Sequence, residues 1–361
     1  MRTRLCVILC VVLTASGGYA DVATSVDILI LAGITRDASQ QAAVYGVGKT
    51  ALSFDSRGNP DVRAGLELDS IVSDSVTPDV KRAFIKARFP GFRVTIGKTR
   101  ESWGEGFLFN AGDVIFGSMD PVTDLSQTIL RDETAWLLDL YVPLGQFSHV
   151  EALVLPYAPD SSGTALLNPV DEMRCGGRIV TKLWDIKLEG GYLFEADRHI
   201  HQPYISLQGN LYFDLQLSAS MEIPNENPTE EDLERGFAVS FGLFRIFSTE
   251  EAGTWTVRLE GALRPFASWH EEAHPDETTH YGLLLYPEID YAPDDFLTFQ
   301  LRSIISPLDG SALISLGLTY TIYQGLSVLG TVAVQVGDTN DVFGWDREGD
   351  VALLLGMEYI F

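Results

Sequence analysis

The chain has 361 residues, 46% of them apolar and 11% aromatic, and sets 25 Lys and Arg against 50 Asp and Glu for a formal charge of −25. Such acidity argues against a nucleic-acid binder, which shows a basic patch or a high pI, while 19 Phe, 13 Tyr and 6 Trp are too many for a disordered acidic tail. A mean hydropathy of +0.09 argues against a bundle of membrane-spanning helices.

Residues 1–20 read as an export signal. Arg2 and Arg4 form a basic start, Leu5 to Ala15 an apolar run of 11 residues, and Gly18 and Ala20 the small residues a signal peptidase reads, which predicts cleavage before Asp21. The run is short for a bilayer span. Cleavage removes Arg2, Arg4, Cys6 and Cys10 but no acid, which leaves 23 cations against 50 acids, a charge of −27, and Cys175 as the one cysteine. A single Cys forms no internal disulfide, so the chain is outside the small, stapled class of secreted domains.

Beyond residue 21 no stretch approaches 18 apolar residues, and period-two alternation dominates. Val62, Ala64, Leu66 and Leu68 oppose Arg63, Glu67 and Asp69. Phe213, Leu215, Leu217, Ala219, Met221 and Ile223 oppose Asp214, Gln216, Ser218, Ser220 and Glu222, and at the C-terminus Val351, Leu353, Leu355, Met357, Tyr359 and Phe361 share a face. The pattern predicts strands over 24–33, 42–54, 62–71, 80–89, 92–99, 134–143, 147–156, 173–184, 186–195, 203–211, 213–223, 236–247, 254–265, 280–291, 295–305, 311–321, 325–336 and 350–361, 18 in all. Short joins (90–91, 144–146, 184–185, 292–294, 323–324) alternate with mostly longer ones (100–133, 157–172, 224–235, 266–279, 337–349). That parity favours an all-β, antiparallel, up-and-down transmembrane barrel, with short turns at one end and long loops at the other. A soluble sandwich shows the same local alternation but has no reason to obey the parity. The weakest join is 209–214, where alternation runs on; its loss would make 16 strands.

The last strand, ending Met357-Glu358-Tyr359-Ile360-Phe361, resembles the C-terminal signal of Gram-negative outer-membrane barrels. The stretch Gly97-Lys98-Thr99-Arg100-Glu101-Ser102-Trp103-Gly104-Glu105-Gly106 is similar to a segment of several large exporter- and porin-type barrels, which usually carry Gln where Thr99 stands and Pro where Ala111 or Gly112 stands. The resemblance implies an export signal at 1–20 followed by one outer-membrane barrel over 21–361. It implies outer-membrane lipid around the wall, recognition of Phe361 by the barrel-assembly machinery, passage of small polar solutes, and a homotrimer as one arrangement such channels adopt. It implies neither nucleic acid nor a cofactor.

Alternation places Arg63, Arg82, Lys86, Arg88 and Arg93 inward on three consecutive strands, and Arg174, Arg178, Lys182 and Lys187 inward further round. The bland alternative is that these cations pair with acids such as Glu67, Asp69 and Glu189. Loop 100–133, the longest, carries Glu101, Glu105, Asp113, Asp120 and Asp124, and it is also apolar in part, with Phe107, Leu108, Phe109, Val114, Ile115 and Phe116. Loops this long without regular structure are usually functional. The porin resemblance implies that this one folds inward as a constriction loop, its acids facing a basic wall. Other acidic loops, such as 224–235 with Glu226, Glu230, Glu231, Asp232 and Glu234, read as solvated faces.

Residues 270–280 carry His270, Glu271, His274 and His280 in a metalloprotease-like HExxH spacing. Pro275 disfavours helix at His274, and Glu277 stands where a Gly turns the chain in that family. Three incidental His in an acidic loop are the simpler account, with His270, His274 and His280 as candidate metal ligands. No GxSxG, P-loop or CxxC occurs, so the expectation is a channel rather than an enzyme, with a structural or adhesive barrel as the alternative.

Overall fold

The structure, a computed structural model, describes residues 22–36, 41–56, 59–73, 75–122, 125, 130–156, 173–249, 253–269, 281–338, 341–344 and 351–361. The export signal therefore lies outside the described residues. Eighteen strands follow in order: β1 (Val22–Arg36), β2 (Ala42–Ser56), β3 (Val62–Val72), β4 (Val76–Arg88), β5 (Arg93–Thr99), β6 (Ala135–Pro143), β7 (His149–Leu155), β8 (Arg174–Leu183), β9 (Ile186–Glu195) and β10 (Ile200–Asn210). Then come β11 (Asp214–Met221, continued by a stub at Ile223–Pro224), β12 (Phe237–Thr249), β13 (Gly253–Arg264), β14 (Gly282–Ala292), β15 (Leu297–Ser306), β16 (Ser311–Tyr323), β17 (Leu326–Val336) and β18 (Val351–Ile360). Each pairs antiparallel with its neighbours, and β18 returns to β1 with Asp27 opposite Ile360 and Arg36 opposite Val351. Val26 and Phe361 exchange both backbone hydrogen bonds at 2.8 and 3.0 Å, which ties the C-terminal residue into the seam. A closed sheet satisfies its own backbone, the condition for crossing lipid with strands.

All 18 expected strands are present, including the hairpin at the weakest join, where Asn210 opposes Asp214 across a turn of Leu211, Tyr212 and Phe213. The differences lie at the ends. Strand β1 runs three residues further than alternation suggests, pairing Ile34, Thr35 and Arg36 with Val44, Ala43 and Ala42. Strand β4 starts at Val76 rather than residue 80. A bulge there sets Glu67 opposite Arg82 but Leu68 opposite Val80, and the extra residue breaks the alternation that a sequence pattern needs. The acidic loop 224–235 contains a helical turn, α1 (Glu230–Arg235), whose Thr229 and Asp232 form a reciprocal capping box. Three of its four acids, Glu230, Glu231 and Asp232, sit in the first turn, where the helix dipole favours them.

Side chains obey the alternation. Ile30, Ile85, Ile96, Leu138, Ile179, Ile205, Leu316 and Leu355 point outward and are exposed, forming the apolar skin a bilayer requires. The inside is not uniformly wet. Two buried apolar clusters form where residues between β5 and β6 lie against the inner wall. One joins Leu108, Phe109, Met119 and Leu125 to Ala262, Leu284, Tyr286, Ile304 and Leu313; the other joins Trp103, Val114 and Ile115 to Leu137, Leu153, Leu155, Leu193 and Tyr204.

Candidate functional site

The lumen has two unlike walls, and the segment between β5 and β6 explains the difference. It leaves β5 at Thr99 and turns at Gly104, whose φ of +69° is left-handed and whose missing Cβ lets Asn110 and Gly112 approach to within 3 Å of that position. A side chain there would be both strained and crowded. From this turn the segment packs along the inward faces of β6 to β16, with its polar contacts on β7 to β13.

Buried carboxylates of the wall receive it. Trp103 Nε1 donates to Glu151 Oε1 at 2.8 Å, and the Gly104 amide donates to Glu189 Oε1 at 2.7 Å. Tyr204, whose ring stacks on Trp103 at 5.8 Å, donates its hydroxyl to the same Glu189 oxygen at 2.6 Å. Glu260 on β13 is 0% exposed and accepts the consecutive amides of Phe107, Leu108 and Phe109 at 2.8, 2.7 and 3.0 Å, with a fourth bond from Gln216 Nε2 at 2.8 Å. The Ala111 amide donates to Ser240 Oγ at 2.8 Å. Four donors are what a buried carboxylate without a cationic partner needs to offset its lost hydration.

The cations of this wall are all engaged. Arg178 bonds Glu101 and Glu151 at 2.9 Å each and Glu189 at 3.2 Å, and it also donates to the Ser102 carbonyl. Arg174, 3% exposed, donates to the Ile115 carbonyl at 2.8 Å and lies 3.5 Å from Glu195. Lys187 pairs with Glu105 and Glu189. Arg258 pairs with Glu288 at 2.5 Å while lying 3.6 Å over the Phe107 ring, and Arg302 holds Glu288 from its other side. Arg174 and Arg178 thus lie beneath the inner segment rather than along open water, since alternation fixes which way a side chain points but not what covers it.

The wall of β2 to β5 differs. Lys49 pairs with Asp69 at 3.3 Å, and Arg82 with Glu67 at 3.4 Å. Among the described residues Arg63, Lys86, Arg88 and Arg93 have no ion-pair partner. The register sets Arg63 opposite Lys86 and Arg88 opposite Arg93, so like charges face each other in a continuous row. Arg93 rests 3.7 Å over the Tyr141 ring. Cross-strand like charges cost stability, and nothing in the packing requires them here.

The acids expected in the loop separate. Glu101 and Glu105 are tied to Arg178 and Lys187. Asp113 is buried within the segment's own turn, bonded to Ser118. Burial pushes its carboxyl above the usual range, against the lowering bond from Ser118. Asp120 is exposed and pairs with Arg264 at 3.0 Å. Asp124 lies outside the described residues, as do His270, His274 and His280. Among the described residues no group of three or more His, Cys, Asp or Glu is placed to hold a metal ion. Sequence reasoning named Glu189 only as an ion-pair partner and missed Glu151, Glu260 and Glu288. Their signal is an inward acid at mid-strand, combined with an apolar run in the longest loop.

No family model and no curated protein matches the chain. Solved structures do. OccK2 of Pseudomonas aeruginosa in complex with glucuronate matches with a TM-score of 0.61 at 12% identity, over 94% of this chain and 98% of that one. OccD3 of the same organism matches at 0.55 and 10%, over 96% and 92%. OccAB4 of Acinetobacter baumannii matches at 0.55 and 11%, over 94% and 98%. At such identities the likeness is one of fold: a closed, antiparallel β-barrel.

Proposed function

We propose that the protein is an outer-membrane channel for passive diffusion of small polar solutes, with a preference for anionic ones. One observation carries this: every cation named on the covered wall has an acid or carbonyl partner, while among the described residues Arg63, Lys86, Arg88 and Arg93 on the facing wall form no ion pair and stand like charge to like charge. A row of unpaired cations attracts anions and hands them on, since adjacent sites of similar strength bind without trapping. The inner segment acts as the constriction loop: its buried contacts with the inner wall run from Leu137 on β6 to Leu313 on β16, which supports a passage on the side of the cationic row. OccK2 was solved with glucuronate, a sugar carboxylate, and a solute of that class suits the cationic row.

Planar-bilayer recording under a salt gradient tests this. The expected result is a steady conductance with a reversal potential of anion-selective sign. Silence from folded, heat-modifiable protein would sink the channel, and a cation-selective potential would sink the role of the row. A structural or adhesive barrel predicts the silent outcome.

A further inference from the structure

On the outer wall Arg245 is out of place. Strand β12 points Phe244 inward, under the guanidinium of Arg258 at 4.9 Å. Its neighbour Arg245 therefore points outward, in register with Val257 on β13, which in turn opposes Ile289 on β14. A cation on the lipid-facing side of a barrel is costly near mid-membrane and tolerated only towards the interfaces. Arg245 has no ion-pair partner among the described residues, and its Nε is buried without a hydrogen-bond acceptor. Aromatic rings hold it instead. Its Cζ lies 3.8 Å from the Tyr212 ring centroid, 5.3 Å from Phe247 and 6.0 Å from Phe213. Tyr212 belongs to the short turn 211–213, which places the guanidinium at the short-turn rim of the barrel.

The surface beside it is shaped as well. Phe247 opposes Trp255, Trp255 stacks on Tyr291 at 4.2 Å, and Tyr291 on Phe299 at 6.4 Å. Past this aromatic band an apolar trough of about 610 Å³ opens on the outer wall, lined by Trp255, Tyr291, Phe299, Leu318, Gly330 and Leu355 among others. Gly330, opposite Leu318 and Leu355, keeps the floor low.

We propose that this is a binding site for one phospholipid molecule, its phosphate on Arg245 and an acyl chain in the trough. A guanidinium caged by aromatic faces keeps its N–H edge free, and phosphate is the group that takes such an edge with two parallel hydrogen bonds. In the plane of a bilayer, lipid phosphate is the acceptor that can reach an outward cation at the rim. The site stands apart from the lumen and does not depend on what the channel passes.

Native mass spectrometry of the detergent-extracted full chain, titrated with phosphatidylglycerol and with diacylglycerol of the same chains, tests the assignment. The expected result is one phosphatidylglycerol retained per chain, no retention of the phosphate-free diacylglycerol, and occupancy at least tenfold lower in R245Q. G330L, which raises the trough floor against Leu355, should lower occupancy with Arg245 intact, so it still tests the site should R245Q fail to give the heat-modifiable folded band. Equal retention by wild type, R245Q and G330L would overturn the proposal. So would equal retention of diacylglycerol, or a wild-type dimer that R245Q converts to monomer, because the face would then belong to a second copy of this chain.

Discussion

The two inner walls are built from the same strand geometry and the same residue types, yet they do opposite things with charge. On β7 to β14 the inward Glu151, Glu189 and Glu260 seat the inner segment, and Arg178 ties the first two into a network, meeting Glu101, Glu151 and Glu189. On β3 to β5, Arg63, Lys86, Arg88 and Arg93 face water with like charges opposite each other. A paired, buried charge specifies one arrangement of the chain, whereas an unpaired charge at a wet wall adds little to stability and is free to meet a solute. The covered wall is therefore where substitutions should unfold the protein, and the open wall is where they should change what passes.

Substitution of Arg178 by Ala gives the largest expected effect, since it strands three carboxylates in a covered site. Breaking such a network costs about 3–5 kcal/mol. The heat-modification midpoint should drop steeply in R178A and stay within the wild-type range in R63A, which removes an exposed cation with no ion pair among the described residues. Equal losses in the two variants would erase the distinction between the walls.

Glu260 offers a more local cut. Gln in its place keeps the size but aims an amide NH₂ at backbone donors, leaving at least one of the Phe107, Leu108 and Phe109 amides unsatisfied, at a cost of about 1–3 kcal/mol. The barrel should remain heat-modifiable in E260Q while the segment 100–134 becomes sensitive to limited proteolysis and single-channel current becomes noisier. Quiet, protease-resistant E260Q would show that the apolar clusters alone hold the segment.

The open wall is probed by R88E together with R93E. Among the described residues these cations touch no acid and only Arg93 stacks, on Tyr141, so stability should move by no more than about 1 kcal/mol. The reversal potential should instead shift towards cation selectivity. An unchanged potential would place the selective part of the passage elsewhere.

Much of this was legible in the sequence. Alternation and the parity of short and long joins are local signals, and they marked every strand from β1 to β18, including the β10–β11 hairpin. They also set the inward face, so Arg63 and Arg178 look alike at that level. What separates them is a contact between residues far apart in the chain: Gly104 with Glu189, or Leu108 with Glu260. No periodicity encodes such a contact. The closest hint is composition, because Phe107, Leu108 and Phe109 would be poor choices for a loop that stayed in water. The bulge that sets Val80 opposite Leu68 was lost for a similar reason, since one extra residue changes the phase of the pattern it interrupts.

Glu101 stands between the two walls and yields the smallest but most specific prediction. Burial raises its carboxyl pKa above the usual 4.5, with Glu151 adding to the rise, while Arg178 and Lys86 pull it back. Because the native pKa lies above the unfolded one, the folded chain binds this proton more readily than the unfolded chain. The stability this group contributes is therefore fully present below the unfolded value and lost as pH rises through the native one. The same proton removes a negative charge from beside Lys86 on the open wall. Acidification through that window should make the channel more anion-selective, and E101Q should show the acidic-side selectivity at every pH across it. A wild-type reversal potential that stays flat through the window would mean that Glu101 reports to the covered wall alone.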